Sequence, residues 1–156
     1  IGDKTPVRQT SSTHGPDGYI TTDSETISRI LDRLMKKLRN SVDSFAFYDW
    51  RPATGAKTLL ITYGVTSRAA RDAVEDLHSD NTPVSHLSLK TLWPVPERLL
   101  LEMSSGYERV VVAEMNLGQY VREIERLLPD QKVLFLGQMN GELISPEQIR
   151  GAIMNE

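Results

Sequence analysis

The sequence contains no cysteine, so it can form neither a disulfide framework nor a cysteine-ligated zinc or iron–sulfur centre. Long apolar runs are also missing. The best of them, Thr58 to Ile61 and Val110 to Ala113, fall far short of the roughly 20 residues that cross a bilayer. No charged-then-apolar leader opens the chain, and a cytoplasmic location is the expectation. Neither charge sign dominates, with 18 Lys and Arg against 21 Asp and Glu. Residues 57–156 are mildly acidic and offer no basic face, which argues against a nucleic-acid partner. What remains is the profile expected of one soluble globular domain, and 156 residues are enough to bury a core. It begins Ile1-Gly2-Asp3 rather than with methionine and is expected to be an excerpt of a longer polypeptide.

Residues 1–23 are rich in Thr, Ser, Gly, Pro and Asp, with Gly15-Pro16-Asp17-Gly18 as a turn signal, and read as an arm. From Ser24 to Leu38 the residues Ile27, Ile30, Leu31, Leu34, Met35 and Leu38 recur at three- and four-residue steps between Arg and Lys, an amphipathic helix. Asp23 or Ser24 is its expected cap, and the cations suit its carboxyl-terminal dipole. The basic stripe is either a solvated face or an attractor for an acidic protein partner. Asn40 to Ala56 reads as a linker, yet it holds Phe45, Phe47, Tyr48 and Trp50, four of only ten aromatics, and is therefore expected to dock.

Beyond Gly55 strands and helices alternate about every 25 residues, the pattern of βαβ units. Strands are expected at 57–63, 84–89, 108–115 and 132–136, and helices at 66–78, 96–103 and 117–128. A last helix opens at Ser145 in capping-box form with Gln148. Repeated right-handed crossovers give a three-layer α/β/α domain over 57–156, preceded by an arm, helix and linker over 1–56.

Three places could carry chemistry. The turn Thr62 to Arg68 is a strand-to-helix junction that suits an anion, with Gly64, Thr66 and Ser67 as its contacts, but it has neither GxGxxG nor Gly-Lys-Ser/Thr. Its plainer reading is that Gly64 turns the chain while Thr66 or Ser67 caps the helix. Glu114 ends a strand where open α/β sheets place ligands. It could serve as acid or base, or Asn116 could cap the next helix while Glu114 bonds a neighbouring loop or subunit. His14, His78 and His86 fit no metal-ligand spacing, so no metal site is expected. Trp93 beside Pro94 and Pro96 suits a packing anchor at a boundary.

Three segments in order, ITYGVTSRAARDAV (61–74), LSLKTLWPVPERLL (87–100) and RVVVAEMNLGQYVREIE (109–125), resemble the carboxyl-terminal part of the alpha subunit of 2-oxoacid:ferredoxin oxidoreductases, the 2-oxoglutarate type above all. The His14-Gly15-Pro16-Asp17-Gly18-Tyr19 turn, Thr22-Asp23 and the basic helix resemble that family's arm upstream of the domain. The resemblance implies a transketolase C-terminal-like domain with a mostly parallel five-stranded sheet and one antiparallel strand. The fifth strand would lie in Phe45 to Trp50 or near Met139 to Leu143.

The family's intact enzymes convert a 2-oxoacid and coenzyme A to acyl-CoA and carbon dioxide, using thiamine diphosphate, magnesium and an iron–sulfur cluster, and reduce ferredoxin. The resemblance implies that this stretch binds none of these cofactors. It would instead be a subunit-interface domain that packs against the rest of the alpha subunit and a beta subunit through Trp93, Glu114, Asn116 and Gln119. The alternative is an independent phosphate- or nucleotide-binding regulatory module using Gly64 to Ser67. Gly15-Pro16-Asp17-Gly18 lacks the spaced Asn pair of a thiamine motif. Lys90 stands where the resemblance leads one to expect arginine, which removes a planar two-pronged donor.

Overall fold

A computed structural model describes residues 12–155, so the start of the expected arm, residues 1–11, lies outside the described residues. The chain divides into two compact units, Ile1–Ser41 and Val42–Glu156.

In the first unit a tight turn is held by Gly15 N donating to Tyr19 O at 2.9 Å and by Tyr19 N donating to Asp17 Oδ1 at 3.1 Å. The Asp17 carboxylate is thus part of the turn itself. Helix α1 (Ser24–Phe45) starts as expected, with Thr26 N donating to the Asp23 carboxylate at 2.8 Å. Its other end differs from the expectation. Nothing between Leu38 and Phe45 breaks a helix, so α1 runs on to Phe45, Lys36, Lys37 and Arg39 lie mid-helix, and no cation serves the last turn.

The second unit is a five-stranded sheet in the order β1-β3-β2-β4-β5, formed by β1 (Tyr48–Arg51), β2 (Thr58–Tyr63), β3 (Val84–Leu89), β4 (Arg109–Glu114) and β5 (Lys132–Gly137). All neighbours are parallel except β1, which runs antiparallel to β3 with Tyr48 opposite Leu89. The boundary expected at 56/57 therefore cuts through the sheet. The aromatic segment is thus no linker but the antiparallel fifth strand, at the first of its two expected places, because β3 offers a free edge that β1 pairs with. Phe47 continues the join, with Lys90 N donating to its carbonyl at 2.9 Å.

Helices cover both faces, giving the three layers. Alternate strand residues Leu60, Val84, Val111 and Ala113 pack under α2 (Thr66–Ser79) and α5 (Pro146–Met154), through Ala70, Ala73, Val74, Leu77, Ile149 and Ile153. The opposite set, Leu59, Ile61, Leu87, Val110 and Val112, meets α3 (Glu97–Ser104) and α4 (Val121–Leu127) through Leu100, Val121 and Ile124. Ser145 forms the expected capping box, its Oγ accepting from Gln148 N while Gln148 Oε1 accepts from Ser145 N.

The chain passes from β2 to β3 on one side and returns to β4 on the other. The point where strand order reverses is therefore the carboxyl end of β2 beside β4, the position at which open α/β sheets bind ligands.

Candidate functional site

The last residues of β2 and β4 meet at that reversal. Tyr63 and Glu114 are 51 positions apart in sequence, and the Tyr63 hydroxyl donates to Glu114 Oε2 at 2.6 Å. Glu114 is fully buried yet accepts from four directions. Besides Tyr63, its carboxylate takes Asn116 Nδ2 at 2.9 Å, Tyr120 N at 3.0 Å and Val121 N at 3.0 Å. The last two are orphan amides at the start of α4, so a side chain seven residues upstream caps this helix.

Asn116 turns the loop below the cap. Its Oδ1 accepts from Gly118 N at 2.8 Å and Gln119 N at 2.9 Å, while its Nδ2 also reaches the Tyr63 hydroxyl at 2.7 Å. This loop needs Gly118, whose φ of 89° disfavours other residues. The expectation that Asn116 caps the helix is corrected here. The helix begins four residues later than expected, at Val121, with Tyr120 in the cap position, and it is the Glu114 carboxylate that accepts from the Tyr120 and Val121 amides there.

Burial, the bond to Glu114 and the charge of Glu114 push the Tyr63 phenol well above its ordinary range, which keeps it a proton donor to the carboxylate. Tyr120 stacks edge-on against Tyr63 with centroids 5.7 Å apart. Its own phenol is likewise raised, mainly by burial, and its hydroxyl has no partner among the described residues. The sequence alone singles out neither Tyr63 nor Tyr120 for this role. The available signal was that Tyr63 and Glu114 each end a strand of neighbouring βαβ units.

The Gly64 turn is placed differently from its expected cap. Val65 occupies the cap position of α2, with no side-chain bond to the helix. Thr66 is buried, and Ser67 Oγ points inward to Thr62 Oγ1 at 2.9 Å and Ser88 Oγ at 2.7 Å. Thr62 Oγ1 in turn lies 2.7 Å from Nε2 of His86, which is 1% exposed. Burial, then the guanidinium groups of Arg51 and Arg71, push this imidazole down to about 4, so it is neutral near pH 7. The hydroxyl that an anion would require is thus tied into a buried polar chain.

The other expected contact residues ring the same end of the sheet. Trp93 is 75% exposed, so it anchors nothing within its own unit, and Gln119 is exposed on the loop that Asn116 turns. Leu117, Val65 and Phe47 are exposed beside the ends of β4, β2 and β1. The Lys90 ammonium donates to Asp49 Oδ1 at 2.6 Å, a point charge rather than a fork. The geometry is thus a junction in which Tyr63, Glu114 and Asn116 satisfy one another while the Tyr120 hydroxyl is left over, with an apolar rim suited to contact with another surface.

The family described as pyruvate:ferredoxin oxidoreductase core domain II matches residues 56–149. The chain belongs to this family. Among its relatives, the 2-oxoglutarate synthase subunit KorA of Methanocaldococcus jannaschii is 30% identical over 155 residues, covering 99% of this chain and 42% of that protein. Ketoisovalerate oxidoreductase subunit VorB of Methanothermobacter thermautotrophicus is 33% identical over 89 residues, 57% of this chain and 25% of that one.

A structure of 2-oxoglutarate:ferredoxin oxidoreductase from Magnetococcus marinus, with 2-oxoglutarate, coenzyme A and succinyl-CoA bound, superposes with a TM-score of 0.73 at 20% identity, over 92% of this chain and 25% of that chain. A split gene transketolase superposes with a TM-score of 0.56 at 18% identity, over 65% and 38%. These two share the fold. The chain spans less than half the length of the curated relatives it matches.

Proposed function

We propose that this chain is one domain of the alpha subunit of a 2-oxoacid:ferredoxin oxidoreductase of the 2-oxoglutarate type, and that its part is subunit contact rather than catalysis. The intact enzyme would convert 2-oxoglutarate and coenzyme A to succinyl-CoA and carbon dioxide in the cytoplasm, passing the electrons to ferredoxin. One observation carries the assignment of roles. At the strand-order reversal, where an α/β sheet would bind a ligand, Tyr63, Glu114 and Asn116 are spent on one another and on the start of α4.

The cofactors of such enzymes do not fit the residues of this chain. It has no cysteine for an iron–sulfur cluster, and among the described residues no three His, Asp or Glu side chains are grouped to hold magnesium for thiamine diphosphate. Those groups, and the coenzyme A site, are assigned to the rest of the alpha subunit and to a beta subunit. Trp93, after β3, and Leu117 and Gln119, after β4, all exposed in the carboxyl-end loops, are assigned to the contact with them. The other reading, a phosphate or nucleotide module at Gly64, Thr66 and Ser67, would need Ser67 to abandon Thr62 and Ser88.

Reconstitution tests the proposal. The chain alone should give no 2-oxoglutarate-dependent reduction of methyl viologen, and the assembled subunits should. Trp93→Ala should change the stability of the chain by less than about 0.5 kcal/mol, as for an exposed side chain. It should weaken assembly by about 2 kcal/mol or more, roughly 30-fold in Kd. Unchanged assembly, measured by sedimentation or calorimetry, would remove Trp93 from the interface. Turnover by the isolated chain would overturn the non-catalytic role.

A further inference from the structure

Helix α1 has 22 residues and none of them is buried. Its apolar residues Ile27, Ile30, Leu31, Leu34, Met35 and Leu38 nevertheless keep a strict three–four spacing, and Leu31, Leu34, Met35 and Leu38 are 40 to 54% exposed. A helix this amphipathic gains its stability by covering its stripe, not from propensity alone. Part of the stripe is already concave. A groove of about 770 Å³ lies between the His14–Pro16 turn and α1, floored by Ile30, Leu31 and Leu34 and flanked by Arg29 and Arg33.

From this we infer that α1 is the docking helix by which the domain is seated on the remainder of its own alpha subunit, its stripe and groove receiving an apolar ridge edged with carboxylates. The inference rests on the reading that the chain is one domain of a longer alpha subunit.

Two observations choose this occupant. The curated 2-oxoglutarate synthase relative aligns through α1, along 99% of this chain, and more than half of its own length lies outside the match. In such a protein the occupant is covalently tethered, so its effective concentration is high and no separate partner is required. Charge supplies the second. The helix carries Arg29, Arg33, Lys36, Lys37 and Arg39 against Glu25, Asp32 and Asp43, and Asp43 is already paired with Arg98 at 3.0 Å. Two copies of α1 would repel, whereas an acidic ridge is attracted. A membrane surface is the weaker fit, because the stripe is aliphatic and has none of the Trp or Phe that anchor interfacial helices until Phe45 at its end.

Hydrogen exchange of the α1 amides tests this, comparing the 156-residue chain with the native alpha subunit purified in its assembled enzyme. In the chain alone α1 should exchange as an exposed helix, and in the native subunit at least about 100-fold more slowly. In the native subunit Leu31→Asp with Leu34→Asp should abolish the gain. Arg33→Glu with Lys37→Glu, which leaves the apolar stripe intact, should reduce it about 10-fold, while the amides of β2 and β4 keep their protection in both variants.

Protection already present in the chain alone would overturn the inference, whether its own second unit or a second copy provides it. So would protection that appears only with phosphatidylserine vesicles, protection that is lost when the beta subunit is dissociated from the native alpha subunit, an unprotected α1 in the native subunit, or a native polypeptide no longer than this chain. Methyl viologen reduction by 2-oxoglutarate is read on the same native enzyme. Its absence with α1 protected overturns the oxidoreductase reading and leaves the docking helix standing, and activity with α1 unprotected does the reverse.

Discussion

Acidification should destabilise this protein through His86 well before its carboxylates are protonated. The imidazole is 1% exposed, lies 2.7 Å from Thr62 Oγ1, and faces Arg51 on β1 and Arg71 on α2, with Asp49 on β1 a weaker opposing influence. Its folded value of about 4 lies below the 6.5 of an exposed histidine, so the unfolded chain binds the proton more readily. The stabilisation by neutral His86 is therefore fully present above about pH 6.5 and is lost as pH falls towards 4. At about 1.4 kcal/mol per pH unit the whole loss is about 3 kcal/mol, of which about 2 kcal/mol is already gone at pH 5. Against a domain stability of roughly 5 to 15 kcal/mol this is readily measured.

The assay is urea unfolding of the full chain at pH 7.5 and pH 5, compared with His86→Gln, which cannot take up the proton. The variant should start less stable, because its amide fits the Thr62 site imperfectly, but it should lose about 2 kcal/mol less than the parent between the two pH values. Equal losses in the two proteins would refute the reasoning. So would an NMR titration that finds His86 protonating above pH 6.

Other substitutions read other parts of the structure. Glu114→Gln keeps the volume and one accepting oxygen, but its NH2 must face a donor, either the Val121 amide or Asn116 Nδ2, and it should cost about 2 to 3 kcal/mol in urea unfolding; a cost below about 0.5 kcal/mol would mean that the carboxylate does not hold this junction together. Gly137→Ala would drive a methyl group into the Phe135 ring and to 2.8 Å from the Asn116 carbonyl oxygen, which cannot move without the loop, so a loss of about 1 to 3 kcal/mol is expected, seen as a lower thermal midpoint. Ser145→Ala breaks the capping box of α5 and should cost about 1 kcal/mol by the same unfolding assay, with Gln148→Ala costing little more in the double variant because the two share one motif.

The parallel strands and their helices were legible in the sequence because each follows a local period. Val84–Leu89 is a strand with the expected bounds, and Ala70, Ala73, Val74 and Leu77 form the buried stripe of α2 as their spacing required. The capping box at Ser145 is equally local, spanning three residues. The ordered segments from Ile61 to Glu125 carried the family resemblance for the same reason: they sit in the strands, helices and exit loops whose conformations depend on near neighbours.

Only the tertiary structure decided the rest. Tyr48–Arg51 is too short to be read as a strand from its own period; the family resemblance left it as one of two places for the fifth strand, and the free edge of β3 decides between them. Ser67 was an equally good helix cap by sequence, but Thr62 and Ser88 lie under it in the fold and take its hydroxyl. The late start of α4 follows from Glu114, whose buried carboxylate gathers the Tyr120 and Val121 amides, and its partner Tyr63 comes from the neighbouring strand 51 residues away. Local spacing determines where a chain will coil or extend. A buried polar group takes whichever partner the packed sheet brings within hydrogen-bonding distance, because leaving it unpaired costs more than bending a loop.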